Sequence, residues 1–239
     1  MAHQAHKETS TVDLAERLQQ GWQKYTKPII AIGSIVILLS GGYIGYKQFV
    51  LKPRDIAANE AIFGAENLFD KMASTSFGRD SAIVVLNGGN IGEQNITGVL
   101  KVINKYGGTQ VANRAQYIAG ATYLHLKEFD KAISYLEKFK GNGANQIQSK
   151  AYIMLGHAYA EKNNVNRALE YYKKAANVNK EDKSITADAL YMGGLYADSQ
   201  GKTSDAKSLF NELKEGYPDF QPVRSGEIDK YLARMGELK

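Results

Sequence analysis

From Ile29 to Tyr46, 18 residues pass without a charge, in a chain of 239 residues whose mean hydropathy is −0.37. A helix that crosses a membrane needs about 20 apolar residues to traverse roughly 30 Å of hydrocarbon. Ile29–Tyr46, with Pro28 and its flanks, reaches that length. Trp22 and Tyr25 precede it, Tyr43 and Tyr46 close it, and Lys27 and Lys47 bound it, as interfacial aromatics and charges do. A core helix apolar on every side needs more protein around it than this chain supplies. A cleavable signal is disfavoured by the preceding residues 1–27, which contain Glu8, Asp13 and Glu16. Residues 28–50 are therefore expected to form an uncleaved, single-pass transmembrane anchor in a lipid bilayer. Lys7, Arg17, Lys24 and Lys27 lie before the span and Lys47, Lys52 and Arg54 after it. The positive-inside rule leans from these to a cytoplasmic N-terminus. Gly41 and Gly45, with Gly42 beside them, make a notch at which another helix could pack closely. In the tail, Ser10 and Asp13 resemble a capping box, and Leu14, Leu18, Trp22 and Tyr25 recur at helical spacing. That helix either lies in the interface plane, docks on a partner, or continues into the span.

Charge gives no footprint for nucleic acid. The formal net charge is +5, and residues 51–239 hold 25 basic and 22 acidic residues, mixed along the chain. Cysteine is absent, which excludes disulfides and thiol chemistry. The histidines are His3, His6, His125 and His157, with no His-x-x-x-His pair and no adjacent acidic ligands. The run "NGGNIG" lacks a following Gly-Lys-Ser/Thr and reads as a turn rather than a phosphate loop. The expectation is no catalytic, cofactor or metal site, and no enzyme. Asn95-Ile96-Thr97 is a sequon only in a secretory lumen, and Asp80-Ser81-Ala82 looks like a short bacterial O-glycosylation motif.

The rest of the chain repeats itself. Three segments align through Gly120 and Tyr123, Gly156 and Tyr159, and Gly193 and Tyr196, with Ala132, Ala168 and Ala206 nine or ten residues after each tyrosine. Antiparallel helices pack closely where small residues meet. Gly156 and Ala168 supply such a crossing, flanked by Tyr159 and Tyr172. One pair cannot cover its own apolar face, so pairs stack around a shared core. The pattern resembles the tetratricopeptide repeat, most clearly in the middle segment, where Tyr152, Leu155, Gly156, Tyr159, Ala168, Tyr172 and Ala175 fall in place. The first segment has Phe139 where a small residue is usual, and the third keeps Pro218 but reads with one extra residue in its turn. The fold class is therefore expected to be all-α: one transmembrane helix, then about three helix pairs with flanking helices.

Residues 51–110 read as membrane-proximal helices, with Ile56, Ile62, Phe63, Leu68 and Phe69 available for packing, followed by an irregular Gly-rich stretch over 76–95 and a short helix ended by Gly107-Gly108. Residues 111–239 hold the repeats and a last helix from Pro222 to about Arg234, whose Tyr231 and Leu232 cap the array. The resemblance implies that the first helix of each pair lines a concave binding side. By register that side carries Arg114, Tyr117, His125, Lys150, Ile153, His157, Glu161 and Asp198. The mixture suits a protein segment better than a small anion, and the Lys, Arg and Asn positions of the carboxylate-clamp co-chaperones are not reproduced. An unused, solvated groove stays open as the alternative.

Taken along its length, and through "LQQGWQKYTKPIIAIGSIVILLSGGYIGYKQF", "NEAIFGAENLF" and "YGGTQVANRAQYIAGATYLHLKEFDKAISYLEKF", the chain resembles the YfgM-type membrane-anchored periplasmic proteins of Gram-negative bacteria. That resemblance implies a non-enzymatic, chaperone-associated adaptor of protein transport, in the inner membrane with its C-terminal domain periplasmic. Its partners would be the SecYEG (Sec) translocon and a PpiD-type periplasmic chaperone. Two alternatives remain: a scaffold for cell-wall, division or outer-membrane biogenesis, and a eukaryotic outer-membrane receptor facing the cytosol.

Overall fold

In a computed structural model of the chain, the described residues are Trp22 and 26–236. The tail pattern of Ser10, Asp13, Leu14, Leu18 and Tyr25, with His3 and His6, lies outside them. The described residues divide between two compact units, with the division at Arg54–Asp55.

The first unit is helical: α1 (26–46) leads into a π-helical turn, Lys47–Leu51. Among the described residues its apolar side chains are largely exposed. Ile37, Leu38 and Leu39 are each at least 69% exposed, and a Cβ at Gly41, Gly42 or Gly45 would meet open space. The helix is long and apolar enough to cross a membrane.

The second unit is a stack of helices. α2 (Lys52–Ser74) contributes Ala58, Ile62, Ala65 and Met72 to the core; α3 (Arg79–Asn87) and α4 (Val99–Lys105) flank a hairpin of β1 (Gly88–Ile91) and β2 (Gln94–Thr97). The stretch expected to be irregular is thus a helix and a hairpin. Its glycines serve the turn, Gly92 at φ 58°, and the tight strand entry at Gly88, rather than a loose loop. Three helix pairs follow: α5 (Gln110–His125) with α6 (Phe129–Leu136), α7 (Asn145–Glu161) with α8 (Val165–Val178), and α9 (Lys183–Ser199) with α10 (Thr203–Gly216). α11 (Gln221–Arg224) and α12 (Glu227–Arg234) close the far end. The single capping helix expected there is broken at Gly226, whose left-handed backbone (φ 71°) cannot continue a helix.

The pairs are built alike, residue for residue. A Cβ on Gly120 would lie 2.5 Å from Leu136 Cγ, on Gly156 2.7 Å from Tyr172 Cε1, and on Gly194 2.6 Å from Phe210 Cε1. In each pair the small residue and the large one that fills its notch are sixteen positions apart. The close approach is therefore glycine against a large side chain, with Ala132, Ala168 and Ala206, all fully buried, twelve positions after each glycine. Lys127, Asn163 and Gly201, seven after each, all take the left-handed turn conformation between the paired helices. This corrects the third repeat. Its notch residue is Gly194, not Gly193, and the turn has no extra residue. Added length lies between pairs, where the chain is free to vary. Thr109, Asn164 and Asp182 cap α5, α8 and α9, each accepting a hydrogen bond from a backbone N–H three residues on.

Pair joins pair through polar and aromatic contacts. Glu137, just past α6, accepts from Tyr159 (2.9 Å), Tyr171 (2.8 Å) and Arg167 Nη2 (3.0 Å). Tyr159 and Tyr171 stack at 5.5 Å, and the Arg167 guanidinium lies over both rings.

Candidate protein-binding surface

α7 carries Lys150, Ile153, His157 and Glu161 at helical spacing, with His157 reaching Tyr172 of α8. Lys150 and Glu161 are exposed, while Ile153 and His157 are half-buried. Burial holds the His157 imidazole below its usual range, with Glu161 pulling weakly the other way, and burial pushes the Tyr172 phenol up. Both groups are therefore neutral at pH 7. The Tyr172 hydroxyl and His157 Nδ1 share a hydrogen bond at 3.0 Å.

On α5, Arg114 and Tyr117 come together at a cleft of about 650 Å³ between α5, α2 and the loop after α6. Tyr117, Ile118, Phe139 and Ile147 give it an apolar floor, and Phe63, 65% exposed, stands at its rim. Arg114 is already engaged within the chain: Nε donates to Glu66 at 3.0 Å and Nη2 to Asn59 at 2.9 Å. Asn113 straps the loop, donating to the Lys140 carbonyl (2.7 Å) and accepting its N–H (2.9 Å). Glu66, Asp70, Arg114 and Lys140 leave the cleft with balanced charge.

His125 does not join this cleft. Its ring stacks on Phe77 at 3.7 Å, nearly parallel, and burial lowers its pKa. Asp198 is held by Arg234 of α12. With Gly194 as the reference, the positions equivalent to Lys150, Ile153 and His157 are Asp188, Tyr191 and Leu195, and Asp198 falls one residue short of the Glu161 position. The Gly-x-x-Tyr spacing hid these residues; counting twelve positions back from Ala206 would have found them. Burial, helped by Asp182, raises the Asp188 carboxyl. Tyr191 donates to Glu227 at 2.6 Å, and its phenol is pushed up to about 12, first by burial and then by that carboxylate. Among the described residues no three His, Asp or Glu side chains gather as metal ligands would.

Stacked helix pairs with one polar–apolar face left open define a helical-repeat protein of the interaction type. Sequence profiles of the tetratricopeptide repeat match residues 114–140, 149–182 and 188–219, one per helix pair. No curated protein matches the chain.

Proposed function

We propose that the protein is a membrane-anchored, non-enzymatic adaptor whose repeats hold a protein partner while its apolar helix docks among membrane proteins. The observation that carries this reading is the open repeat face, cleft included, in a chain that also has an unburied helix of membrane-spanning length. Tyr117, Lys150, Ile153, His157 and Glu161 form the core of the binding face, and Gly41, Gly42 and Gly45 the docking side of the span. The resemblance favours the Sec translocon as the membrane partner and a PpiD-type periplasmic chaperone on the repeats. It also favours an inner-membrane location, a cytoplasmic N-terminus and an ancillary role in protein export.

The test is affinity purification of the full chain from native membranes in mild detergent, with mass spectrometry of what remains bound. Translocon subunits together with a periplasmic chaperone are expected. Gly41→Leu with Gly45→Leu should release the first group, and Ile153→Glu the second. Recovery of a different envelope complex, or of no partner, would overturn the assignment. Because the chain has no cysteine, one introduced at Ser199 reports topology directly: a membrane-impermeant maleimide should label it from the periplasmic side only.

A further inference from the structure

Next to the Arg114 cleft, and sharing Phe63 and Asn67 of α2 with it, a second cleft of about 460 Å³ lies between α2 and the hairpin. Its sheet-side wall is Ile91 at the end of β1 and four consecutive residues of β2, Gln94 to Thr97. Side chains alternate between faces along a strand, so consecutive residues of β2 bring its outer edge to the cleft, beside the face that carries Ile91, Gln94 and Ile96. In the hairpin register Ile91 faces Gln94, Asn90 faces Asn95 and Gly88 faces Thr97. A two-residue turn makes the flanking pair, Ile91 and Gln94, hydrogen-bonded, and the pairs alternate from there. The N–H and C=O groups of Asn95 and Thr97 therefore point away from β1. No backbone hydrogen bond outside the hairpin reaches them among the described residues.

The floor of this cleft belongs to α2. Ile96 is anchored on it, with its side chain against Gly64, and the exposed Phe63 ring and half-buried Leu68 of α2 line the cleft with it. Glu60 and Lys71 also line the cleft, and neither has an ion-pair partner among the described residues. Eleven helical residues separate them, about 16 Å along the axis. That is the length of about five residues of extended chain.

We propose that this cleft binds an extended segment of a partner protein as a third strand beside β2. The main chain of that segment bonds to Asn95 and Thr97, an apolar side chain rests on Phe63, and basic and acidic side chains at its two ends meet Glu60 and Lys71. Unfilled strand-edge groups select an extended backbone over a helix. The opposed charges fix the polarity of the segment. This site does not depend on the repeat-face reading: it uses none of Tyr117, Lys150, Ile153, His157 and Glu161, and shares only Phe63 and Asn67 with the Arg114 cleft.

Fluorescence anisotropy with the full chain in detergent tests it, using a labelled Lys-Val-Thr-Val-Glu peptide and the reversed Glu-Val-Thr-Val-Lys. One polarity should bind at least tenfold more tightly than the other. Asn95→Pro removes an outward N–H and the side-chain bond from Asn95 to Asn90 (2.9 Å) while leaving the backbone pairing in place, and it should weaken that binding tenfold or more, whereas Asn95→Ala, which loses only the side-chain bond, should not. N-methylation of alternate peptide amides probes the same bonds without touching the protein, and should also abolish binding. Equal binding of both polarities, or indifference to both Asn95→Pro and N-methylation, would refute the proposal. Self-association of the chain that Asn95→Pro abolishes, with no peptide binding, would also refute it and make a second copy the occupant.

Discussion

The repeat register makes a sharp prediction at two adjacent glycines. An alanine at Gly194 would put its Cβ 2.6, 2.8 and 3.0 Å from three atoms of the Phe210 ring. That ring has nowhere to go: it is fully buried and stacked on Tyr231 at 5.1 Å. Overpacking of this kind costs about 1–3 kcal/mol, and a rigid buried ring belongs in the upper half of that range. Against it stands the helix preference of alanine over glycine, about 1 kcal/mol. Gly194→Ala should therefore destabilise by about 1–2 kcal/mol. At Gly193 the nearest atoms are Tyr172 Cβ at 3.0 Å and Leu209 Cδ1 at 3.2 Å, and the leucine methyl can rotate aside. There the two effects nearly cancel. Thermal melts of the full chain in detergent, followed by circular dichroism, should place Gly194→Ala roughly 2–8 °C below the parent. Gly193→Ala should lie within about a degree of it on the same scale. Gly41→Ala, which meets nothing, is the control for the span. If Gly193→Ala proves the more damaging variant, the register drawn through Gly120, Gly156 and Gly194 is wrong.

Glu137→Ala strands two phenol donors and Arg167, but its carboxylate is 38% exposed and water replaces part of what is lost, so about 1 kcal/mol is expected; Tyr171→Phe in that background should then add little, read from urea midpoints as a double-mutant cycle. The imidazoles of His125 and His157 sit below their usual pKa of 6.5 in the folded chain, so the unfolded chain takes up more protons below that pH. Stability should therefore be full above about pH 7 and fall as the pH drops through the ordinary imidazole range, and His157→Gln should flatten part of that slope in midpoints measured from pH 7.5 to 5. Lys127 and Gly201 occupy the same left-handed turn position, at φ 61° and 67°. Lys127→Gly should raise the melting midpoint and Gly201→Ala lower it, each by an amount corresponding to about 1 kcal/mol.

The sequence announces features that repeat or persist locally. Uncharged residues from Ile29 to Tyr46 and the Gly120 and Gly156 notches are of this kind, because each rests on neighbours in the same helix or the same helix pair. Tyr196 misled for a local reason too. It mimics Tyr159 in spacing, while the true equivalent, Ala197, is a small buried residue with no pattern of its own. Burial at Ala206 carries the better signal, since a second helix can approach only where its side chain is small. The hairpin was hidden because Gly88, Gly89 and Gly92 read as looseness, when they serve a tight turn and close strand entry. Nothing local could reveal the capture of Arg114, whose partners Glu66 and Asn59 lie 48 and 55 residues away.

These captures decide which parts of the open face are left to a partner. A stack of pairs exposes an apolar surface at both ends, and each end here is closed by side chains that also use binding-face positions. α2 closes the first end and takes Arg114. α12 closes the last, with Ile228 and Leu232 fully buried, and its Arg234 and Glu227 take Asp198 and Tyr191. A partner reaching for any of those three must displace an existing bond, and gains only the difference between two interactions. Lys150 and Glu161 make no such bond among the described residues, and Ile153 offers apolar surface between them. On the reading proposed above, selectivity on the repeat face would belong to α7, flanked by the Tyr117 cleft, while Arg114, Tyr191 and Asp198 are engaged at the ends of the stack.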